Sequence, residues 1–294
     1  MEIFIAKSAG FCFGVKRALN IATDCADHED GKIHTLGPII HNPQVVQKLE
    51  ETSNIHPKKT VDEMDGGTII IRSHGVKLGD MDKAHEKGLN VVDATCPFVK
   101  KTQELVSELS NEVYTVVVVG DKEHPEVQGI VSYGLEGIIV ATTVEELKDL
   151  PKQKKIGIVA QTTQSFERLK DIATFCLGRA QELKVFNTIC NATSIRQKES
   201  VELSKIVDCM IVVGGKNSAN TTRLADICAS IQPRTHHIEV ASEIDERWFD
   251  GVKRIGITAG ASTPEWVIEE VIKRVEEVGH KHNDSSRERP AFTE

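Results

Sequence analysis

The chain has 294 residues, of which 39% are hydrophobic and 27% charged, and its formal net charge at pH 7 is −8. The negative balance argues against a general affinity for nucleic acid. No apolar run approaches the roughly 20 residues that a membrane-spanning helix needs, and Met1–Ile5 lacks the basic and apolar regions of a signal peptide. We therefore expect a cytoplasmic protein with neither a membrane nor a nucleic-acid partner.

Short apolar runs alternate with helical patterns along the chain. The stretches between most runs place apolar residues at i, i+3 and i+4, as Val15, Leu19 and Ala22 do after the first run. Such a regular strand–loop–helix order predicts an α/β fold with mostly parallel sheets. The eleven predicted strands are Glu2–Ala6, Lys32–Leu36, Thr68–Arg72, Asn90–Asp93, Thr115–Val119, Gly137–Ala141, Lys155–Ala160, Lys184–Phe186, Asp208–Val213, His236–Val240 and Arg254–Thr258.

Three of the seven cysteines, Cys12, Cys96 and Cys190, each follow a predicted strand and precede a helical pattern. Their even spacing predicts three α/β units of similar size, each giving one thiol to a common centre. The predicted units are residues 14–96, residues 97–190, and residues 1–13 together with 191–279. A final segment, residues 280–294, has no apolar period and is predicted to be a disordered tail.

The other four cysteines fit the core. Cys25, Cys176 and Cys228 lie on apolar faces of predicted helices, and Cys209 opens an apolar strand. Free cysteine is among the most frequently buried residue types. The odd count and the expected reducing compartment argue against a disulfide framework, and the sequence has no Cys-x-x-Cys pair of the kind found in zinc ribbons.

The loop thiols are candidate metal ligands because they follow strands, and parallel sheets bind ligands at their carboxyl edge. Pro97 suits the first position of a helix, which predicts Cys96 at a helix N-terminus, where the thiolate is favoured. Three widely spaced thiolates can hold a [4Fe–4S] cluster through three of its irons and leave the fourth open.

Three of the eleven histidines, His41, His74 and His124, stand in loops of the same kind. A single loop histidine is usually a solvated surface residue, but imidazole also donates to phosphate. In the phrase His124-Pro125-Glu126, the proline at a helix start holds the ring and the carboxylate side by side. Glu126 is therefore a candidate for proton transfer, provided that burial tunes its pKa.

Three polar loops, Gln161–Thr163, Lys216–Thr221 and Ala259–Pro264, also follow apolar strands. Their hydroxyl, amide and backbone N–H groups can form an anion site or can simply cap helices. The sequence has neither a Gly-x-Gly-x-x-Gly phrase after its first strand nor a Walker A motif. A nucleotide cofactor is therefore not expected.

The sequence resembles the LytB family of 4-hydroxy-3-methylbut-2-enyl diphosphate reductases over residues 1–279, through nine motifs in order. The motifs are Ala9–Val15, His41–Pro43, Ser73–Val76, Asp93–Pro97, His124–Val127, Gln161–Thr163, Cys190–Thr193, Gly215–Ser218 and Thr258–Ser262. The resemblance implies three quasi-equivalent small α/β domains around a central cavity that holds one [4Fe–4S] cluster.

The resemblance also implies the roles of individual residues. The cluster ligands would be Cys12, Cys96 and Cys190, and the catalytic residues would be Glu126, Thr162 and His124. The substrate-binding residues would be His41, His74, His124, Thr162, Ser218, Ala219, Asn220 and Ser262. Ala219 departs from the serine of the relatives, so one hydroxyl is lost there, although its backbone N–H can still bind a phosphate oxygen.

The implied reaction is the reductive removal of the allylic hydroxyl of (E)-4-hydroxy-3-methylbut-2-enyl diphosphate, the final step of the non-mevalonate pathway. Its products are isopentenyl and dimethylallyl diphosphates, and a ferredoxin- or flavodoxin-type protein would supply the electrons. Two other hypotheses remain open from the residues alone. One is a zinc hydrolase built on the three loop histidines and Glu126, and the other is a non-enzymatic iron–sulfur sensor built on the loop thiols.

Overall fold

A computed structural model of the chain describes residues 1–29 and 31–285, with side chains described as far as Gly279. The strands are β1 (Glu2–Ile5), β2 (Ile33–Leu36), β3 (Ile55–Lys58), β4 (Thr68–Ile71), β5 (Asn90–Asp93), β6 (Thr115–Val119), β7 (Ile139–Ala141), β8 (Gln153–Ala160), β9 (Ala180–Val185), β10 (Cys209–Val213), β11 (Thr235–Ile238) and β12 (Arg254–Ala259). The α-helices are α1 (Phe13–His28), α2 (Pro43–Ser53), α3 (Leu78–Glu86), α4 (Pro97–Asn111), α5 (Pro125–Ser132), α6 (Phe166–Leu177), α7 (Asn191–Ser204), α8 (Ala219–Ile231) and α9 (Glu265–Ser285).

The strands form three four-stranded sheets, with the orders β3-β2-β4-β5, β7-β6-β8-β9 and β1-β12-β10-β11. Every strand pairing in the described part of the chain is parallel. The central strands are nearly continuous runs of buried β-branched residues, as in Thr115–Val119, because helices cover both faces of a parallel sheet. The predicted α/β class with parallel sheets is confirmed.

Each of the eleven predicted strands corresponds to an observed one, but β3 was not predicted. Its sequence, Ile55-His56-Pro57-Lys58, has one buried residue and a proline, which cannot donate to a sheet. β3 lies at the edge of its sheet and pairs only with β2, so the missing N–H group is tolerated.

Contacts between residues divide the chain into two compact units. One unit comprises Met1–Phe11 and the described residues from Ile195 onward, and the other comprises Cys12–Ser194. Each of the three sheets falls within one of the three predicted ranges, and the second unit contains two of the sheets. The division into three domains therefore stays a prediction.

The last helix, α9, continues to Ser285, past the boundary at Gly279 where the tail was predicted to begin. Its first turns bury Val267, Ile268 and Val271 against β10 and β12. The predicted disorder of residues 286–294 lies outside the described residues.

Candidate active site

The three loop thiols each stand immediately before a helix. Cys12 precedes α1, Cys96 precedes α4 and Cys190 precedes α7, and all three are partly exposed. The remaining cysteines are buried, with 9% exposure or less: Cys25, Cys176, Cys209 and Cys228. The predicted sorting into loop thiols and core cysteines is confirmed, and the binding of iron by the loop thiols stays a prediction.

Gly14 lies against two of these thiols. A Cβ atom at Gly14 would lie 2.6 Å from the Sγ of Cys96 and 3.9 Å from the Sγ of Cys12. The charges of Cys12 and Cys190 both act on the Cys96 thiol, so the three sulfurs are close to one another within the unit Cys12–Ser194. Three neighbouring cysteine sulfurs, with no side chain at Gly14 to block them, are the kind of donor set that an iron–sulfur cluster takes.

The pKa of the Cys96 thiol differs from the one that its place at a helix start predicts. A helix N-terminus should lower the pKa of this thiol, but burial raises the pKa of Cys96 to about 11, and Cys12 and Cys190 contribute to the increase. The prediction that the helix start favours the thiolate is wrong for the thiol itself, because desolvation outweighs the backbone N–H groups. A metal that binds here must displace the proton.

The zinc hypothesis requires three or more ligands around one point. No group of three or more His, Cys, Asp or Glu side chains within the described residues is arranged to hold a single metal ion. A four-iron cluster places less stringent demands, because its thiolates bind separate irons and stand further apart.

The three loop histidines lie together. The ring centroids of His41 and His74 are 4.2 Å apart, and the ring of His124 lies 5.5 Å from the first and 5.8 Å from the second. They lie in the loops after β2, β4 and β6, and each loop follows the carboxyl end of a parallel strand, where such sheets bind ligands. The structure brings the three imidazoles together, and their role in substrate binding stays a prediction.

These imidazoles are neutral at pH 7. Burial lowers the pKa of His41 and of His124 to about 4, and burial places the pKa of His74 well below its ordinary value. The nearby charge of Arg72 adds to the decrease for all three rings. Each neutral ring presents one N–H donor and one acceptor nitrogen.

The start of α5 determines which ring nitrogen of His124 carries the hydrogen. Pro125 occupies the first helical position, and the backbone N–H of Glu126 donates to Nδ1 of His124 at 3.2 Å. Because Nδ1 is the acceptor, the neutral ring carries its hydrogen on Nε2. His124 can therefore donate from Nε2 to an anion.

Glu126 is buried beside Thr162. Only 1% of Glu126 is exposed, and one of its oxygens, Oε1, accepts a hydrogen bond of 2.7 Å from the backbone N–H of Thr162. The other, Oε2, accepts one of 3.0 Å from the Thr162 hydroxyl. Burial raises the pKa of Glu126 although both bonds oppose the increase, so this carboxyl holds a proton at higher pH than an ordinary glutamate. The structure joins two of the predicted catalytic residues in one contact.

Arg72 lies near the histidines, although no motif of the sequence distinguishes it. Its Nε donates to the carbonyl oxygen of Gly75 at 3.3 Å, and its Nη1 lies 2.5 Å from the position of a Cβ at Gly37. Gly37 and Gly75 have φ angles of 71° and 73°, a region in which glycine is favoured. Gly37 and Gly75 lie in the loops that carry His41 and His74. They are the only residues in the sequence that could have indicated where the Arg72 side chain lies.

The predicted substrate residues of the other unit stand at two helix starts. Ser218 caps α8, since its hydroxyl oxygen accepts a hydrogen bond of 3.4 Å from the backbone N–H of Thr221. Ser218, Asn220 and Ser262 are all buried, whereas Ala219 is partly exposed. The Nδ2 atom of Asn220 is buried and has no hydrogen-bond partner among the described residues. Capping thus accounts for one role of Ser218, and its own O–H remains a possible donor to an anion.

Thr221 and Thr263 hold these two loops close. A Cβ at Gly260 would lie 2.0 Å from the hydroxyl oxygen of Thr221, and one at Gly214 would lie 2.4 Å from that of Thr263. The Thr263 hydroxyl also donates to the carbonyl oxygen of Val213 at 3.0 Å. The loops after β10 and β12 therefore meet through glycine–threonine contacts, which the sequence analysis did not predict.

We expect Gly14→Ala to lower iron content and turnover by about 10-fold or more, the scale seen when groups that support metal ligands are lost. The added methyl group would contact the Cys96 sulfur, which must move. Iron and sulfide analysis of anaerobically purified protein measures the effect. Gly79→Ala is the matched control, since Gly79 is likewise the second residue of its helix and a Cβ there meets nothing within 4 Å. Full iron content in Gly14→Ala would contradict the assignment.

Comparisons with known proteins give a consistent result. The profile of the family described as LytB protein matches residues 3–276. The 4-hydroxy-3-methylbut-2-enyl diphosphate reductase of Pelobacter propionicus is 59% identical over 282 residues, covering 96% of this chain and 100% of that protein. The corresponding protein of Geobacter sulfurreducens is 57% identical over 284 residues and covers 96% of this chain and 99% of its own length.

Solved structures agree with these relatives. A structure of (E)-4-hydroxy-3-methyl-but-2-enyl diphosphate reductase, titled the terminal enzyme of the non-mevalonate pathway, is 48% identical with a TM-score of 0.69, covering 94% of this chain and 100% of that one. The Plasmodium falciparum E-1-hydroxy-2-methyl-but-2-enyl-4-diphosphate reductase is 27% identical with a TM-score of 0.87, covering 94% and 87%. Among the described residues, no helix has the length and apolar character needed to span a membrane.

Proposed function

The chain belongs to the LytB protein family, and on that premise we propose that it reduces (E)-4-hydroxy-3-methylbut-2-enyl diphosphate to isopentenyl and dimethylallyl diphosphates. The relatives named above are reductases of this diphosphate, and one of the solved structures is titled the terminal enzyme of the non-mevalonate pathway. The reaction consumes two electrons and two protons and releases the allylic hydroxyl as water. The chain is thus an oxidoreductase of isoprenoid precursor synthesis.

Family membership implies an iron–sulfur cofactor, and we assign it as one [4Fe–4S] cluster held by Cys12, Cys96 and Cys190. The proximity of the three sulfurs supports this assignment, as does Gly14, where any side chain would collide with the Cys96 sulfur. When bound, the cluster supplies electrons one at a time and offers a Lewis-acidic iron that has no cysteine ligand.

Each compact unit contains some of the residues that we propose as diphosphate ligands. In the unit Cys12–Ser194 the ligands are His41, His74 and His124, whose neutral rings lie together and can donate N–H groups to an anion. In the other unit the ligands are Ser218, Asn220, Ser262 and the backbone N–H of Ala219. The buried Nδ2 of Asn220 supports this second set, because a buried donor normally has a partner.

Glu126 and Thr162 are proposed to deliver the proton that the leaving hydroxyl needs, with His124 beside them. Hydroxide leaves poorly, whereas water leaves readily, so a positioned acid should accelerate the loss. The raised pKa of Glu126 keeps a larger fraction of the carboxyl protonated near neutral pH. The Thr162 hydroxyl, 3.0 Å from Oε2 of Glu126, can pass that proton toward the substrate hydroxyl.

The electrons are proposed to come from a ferredoxin- or flavodoxin-type protein in the cytoplasm. Such donors release single electrons, which matches the one-electron steps of an iron–sulfur cluster. The sequence has no nucleotide-binding motif of its own, and its odd number of cysteines fits a reducing compartment.

The observation that supports this function most strongly is the occurrence, in one compact unit, of three close thiols, three neutral histidines and a buried glutamate–threonine pair. The direct test is anaerobic turnover of the allylic diphosphate by the iron-loaded chain with a chemically reduced dye. Formation of both products supports the proposal. Iron-loaded protein that leaves the diphosphate intact would instead favour a non-enzymatic sensor.

A further inference from the structure

The histidine group of the unit Cys12–Ser194 contains one permanent cation. Arg72 is the only arginine or lysine within the described residues whose charge acts on all three of His41, His74 and His124. The three rings are neutral, so Arg72 supplies the fixed positive charge of this group.

The guanidinium of Arg72 lacks an acidic partner. It forms no ion pair within 4.0 Å among the described residues, and its one hydrogen bond there is from Nε to the carbonyl oxygen of Gly75. Asp80 acts on Arg72 only at longer range. Arg72 is only partly exposed, and burial lowers the pKa of its guanidinium. Partly buried cations are normally paired, and the terminal N–H groups of Arg72 therefore have unused donor capacity.

The surrounding loops keep the guanidinium in place. Gly37 permits Nη1 to lie where any side chain would collide with it, and Gly75 offers its carbonyl oxygen to Nε. The same two loops hold His41 and His74, whose rings are 4.2 Å apart. The loops are also joined directly, because the backbone N–H of Ser73 donates to the carbonyl oxygen of Ile39 at 3.2 Å. Arg72 is thus not needed to connect the loops. A purely structural role would use its Nε atom, whereas its two terminal nitrogens remain available to a ligand.

We infer that Arg72 is a further substrate-binding residue, whose guanidinium binds the diphosphate beside the three histidines. This inference rests on the proposed function, because a diphosphate brings the negative charge that the site needs. Imidazole N–H groups provide direction, whereas only Arg72 provides a charge that persists at every physiological pH. A guanidinium fork also matches two phosphate oxygens at once, which a lysine ammonium does not.

The test uses the iron-loaded full chain and three variants, Arg72→Met, Arg72→Lys and Arg179→Met. Inorganic pyrophosphate is the binding probe, measured by calorimetry at several salt concentrations, and turnover uses the allylic diphosphate with a reduced dye. Arg179 is the matched control, since its Nε likewise donates to a backbone carbonyl oxygen, that of Leu150, at 3.0 Å. Its guanidinium packs on the ring of Phe175, and its charge is not among those that act on the three histidines.

We expect Arg72→Met to weaken pyrophosphate binding by about 10- to 100-fold, the scale of a lost charge-assisted hydrogen bond, and to raise KM similarly with a smaller effect on kcat. The salt dependence of pyrophosphate binding should decrease, because one screened charge is gone. Arg72→Lys should recover part of the affinity and the full salt dependence, and Arg179→Met should bind like the wild type.

Two results would overturn the inference. The first is wild-type pyrophosphate affinity in Arg72→Met while the wild-type chain turns over the substrate. The second is an equal loss in Arg72→Met and Arg72→Lys with unchanged salt dependence, which indicates packing instead of charge. Should Arg72→Met fail to fold, Arg72→Gln takes its place, because glutamine keeps a polar donor near the Gly75 carbonyl oxygen but carries no charge, and the same two results decide. Failure of the proposed function is separate, because it appears as absent turnover in the wild type.

Discussion

Replacing Cys12, Cys96 or Cys190 by serine is expected to remove most of the bound iron and to lower turnover by more than about 100-fold. Loss of groups that only support metal ligands already costs about 10- to 100-fold, so loss of a ligand should cost more. Serine retains the size and the polarity of cysteine but is a much poorer ligand for iron, since clusters select soft thiolates. Iron and sulfide analysis, with the visible absorption of anaerobic protein, measures the result.

The four buried cysteines are the matched controls for this series. Cys176, Cys209 and Cys228 are each 0% exposed, and Cys25 is 9% exposed. Their replacement by alanine should change stability through packing while iron content per folded chain stays at the wild-type level. Loss of iron from a folded Cys25→Ala or Cys209→Ala protein would contradict the assignment of the ligands.

Replacing Glu126 by glutamine is expected to lower kcat by about 100-fold or more while the iron content and the affinity for pyrophosphate stay close to wild type. Glutamine retains the size of glutamate and can accept the Thr162 backbone N–H through its amide oxygen, so the contact that holds this side chain persists. It has no acidic proton to deliver. The loss should therefore appear in the chemical step and not in binding.

The pH dependence of this effect gives a second measurement. Because burial raises the pKa of Glu126, the acid form survives to higher pH than in an ordinary glutamate, and kcat should fall as the pH rises through that pKa. Glu126→Gln should lack this decrease. Glu123→Gln, which changes an exposed carboxylate of the same loop, should retain both the rate and the pH profile. A Glu126→Gln protein with full kcat and weak substrate binding would make Glu126 a positioning residue.

The sequence predicted the regular elements well because parallel strands are buried on both faces. Runs such as Thr115–Val119 and Cys209–Val213 have no polar residue after their first position, and their shortness and β-branched residues indicate buried strands. β3 escaped prediction because an edge strand needs neither continuous burial nor every N–H group. The start of α5 was predictable for a different reason, since proline both fixes the backbone and lacks a donor.

The site was predictable only where a residue type is informative by itself. Loop cysteines and histidines are rare enough to attract notice, whereas Arg72 follows an apolar strand like many surface arginines. Its position depends on Gly37 and Gly75, which approach it only after the loops fold. The acidity of Cys96 was predicted in the wrong direction for a related reason. Pro97 predicts a helix start, which lowers the pKa of Cys96. The sequence does not predict how deeply this thiol is buried, and burial raises its pKa by more.

The central claim, a cluster-dependent reduction of an allylic diphosphate, is tested most directly by the ratio of electrons consumed to products formed. Iron-loaded protein is mixed anaerobically with a reduced dye and (E)-4-hydroxy-3-methylbut-2-enyl diphosphate, and dye oxidation is followed while the diphosphates are identified by mass spectrometry. We expect two electrons consumed for each molecule of isopentenyl or dimethylallyl diphosphate, and no products from Cys96→Ser. Products without dye oxidation, or a released inorganic phosphate in their place, would contradict the account.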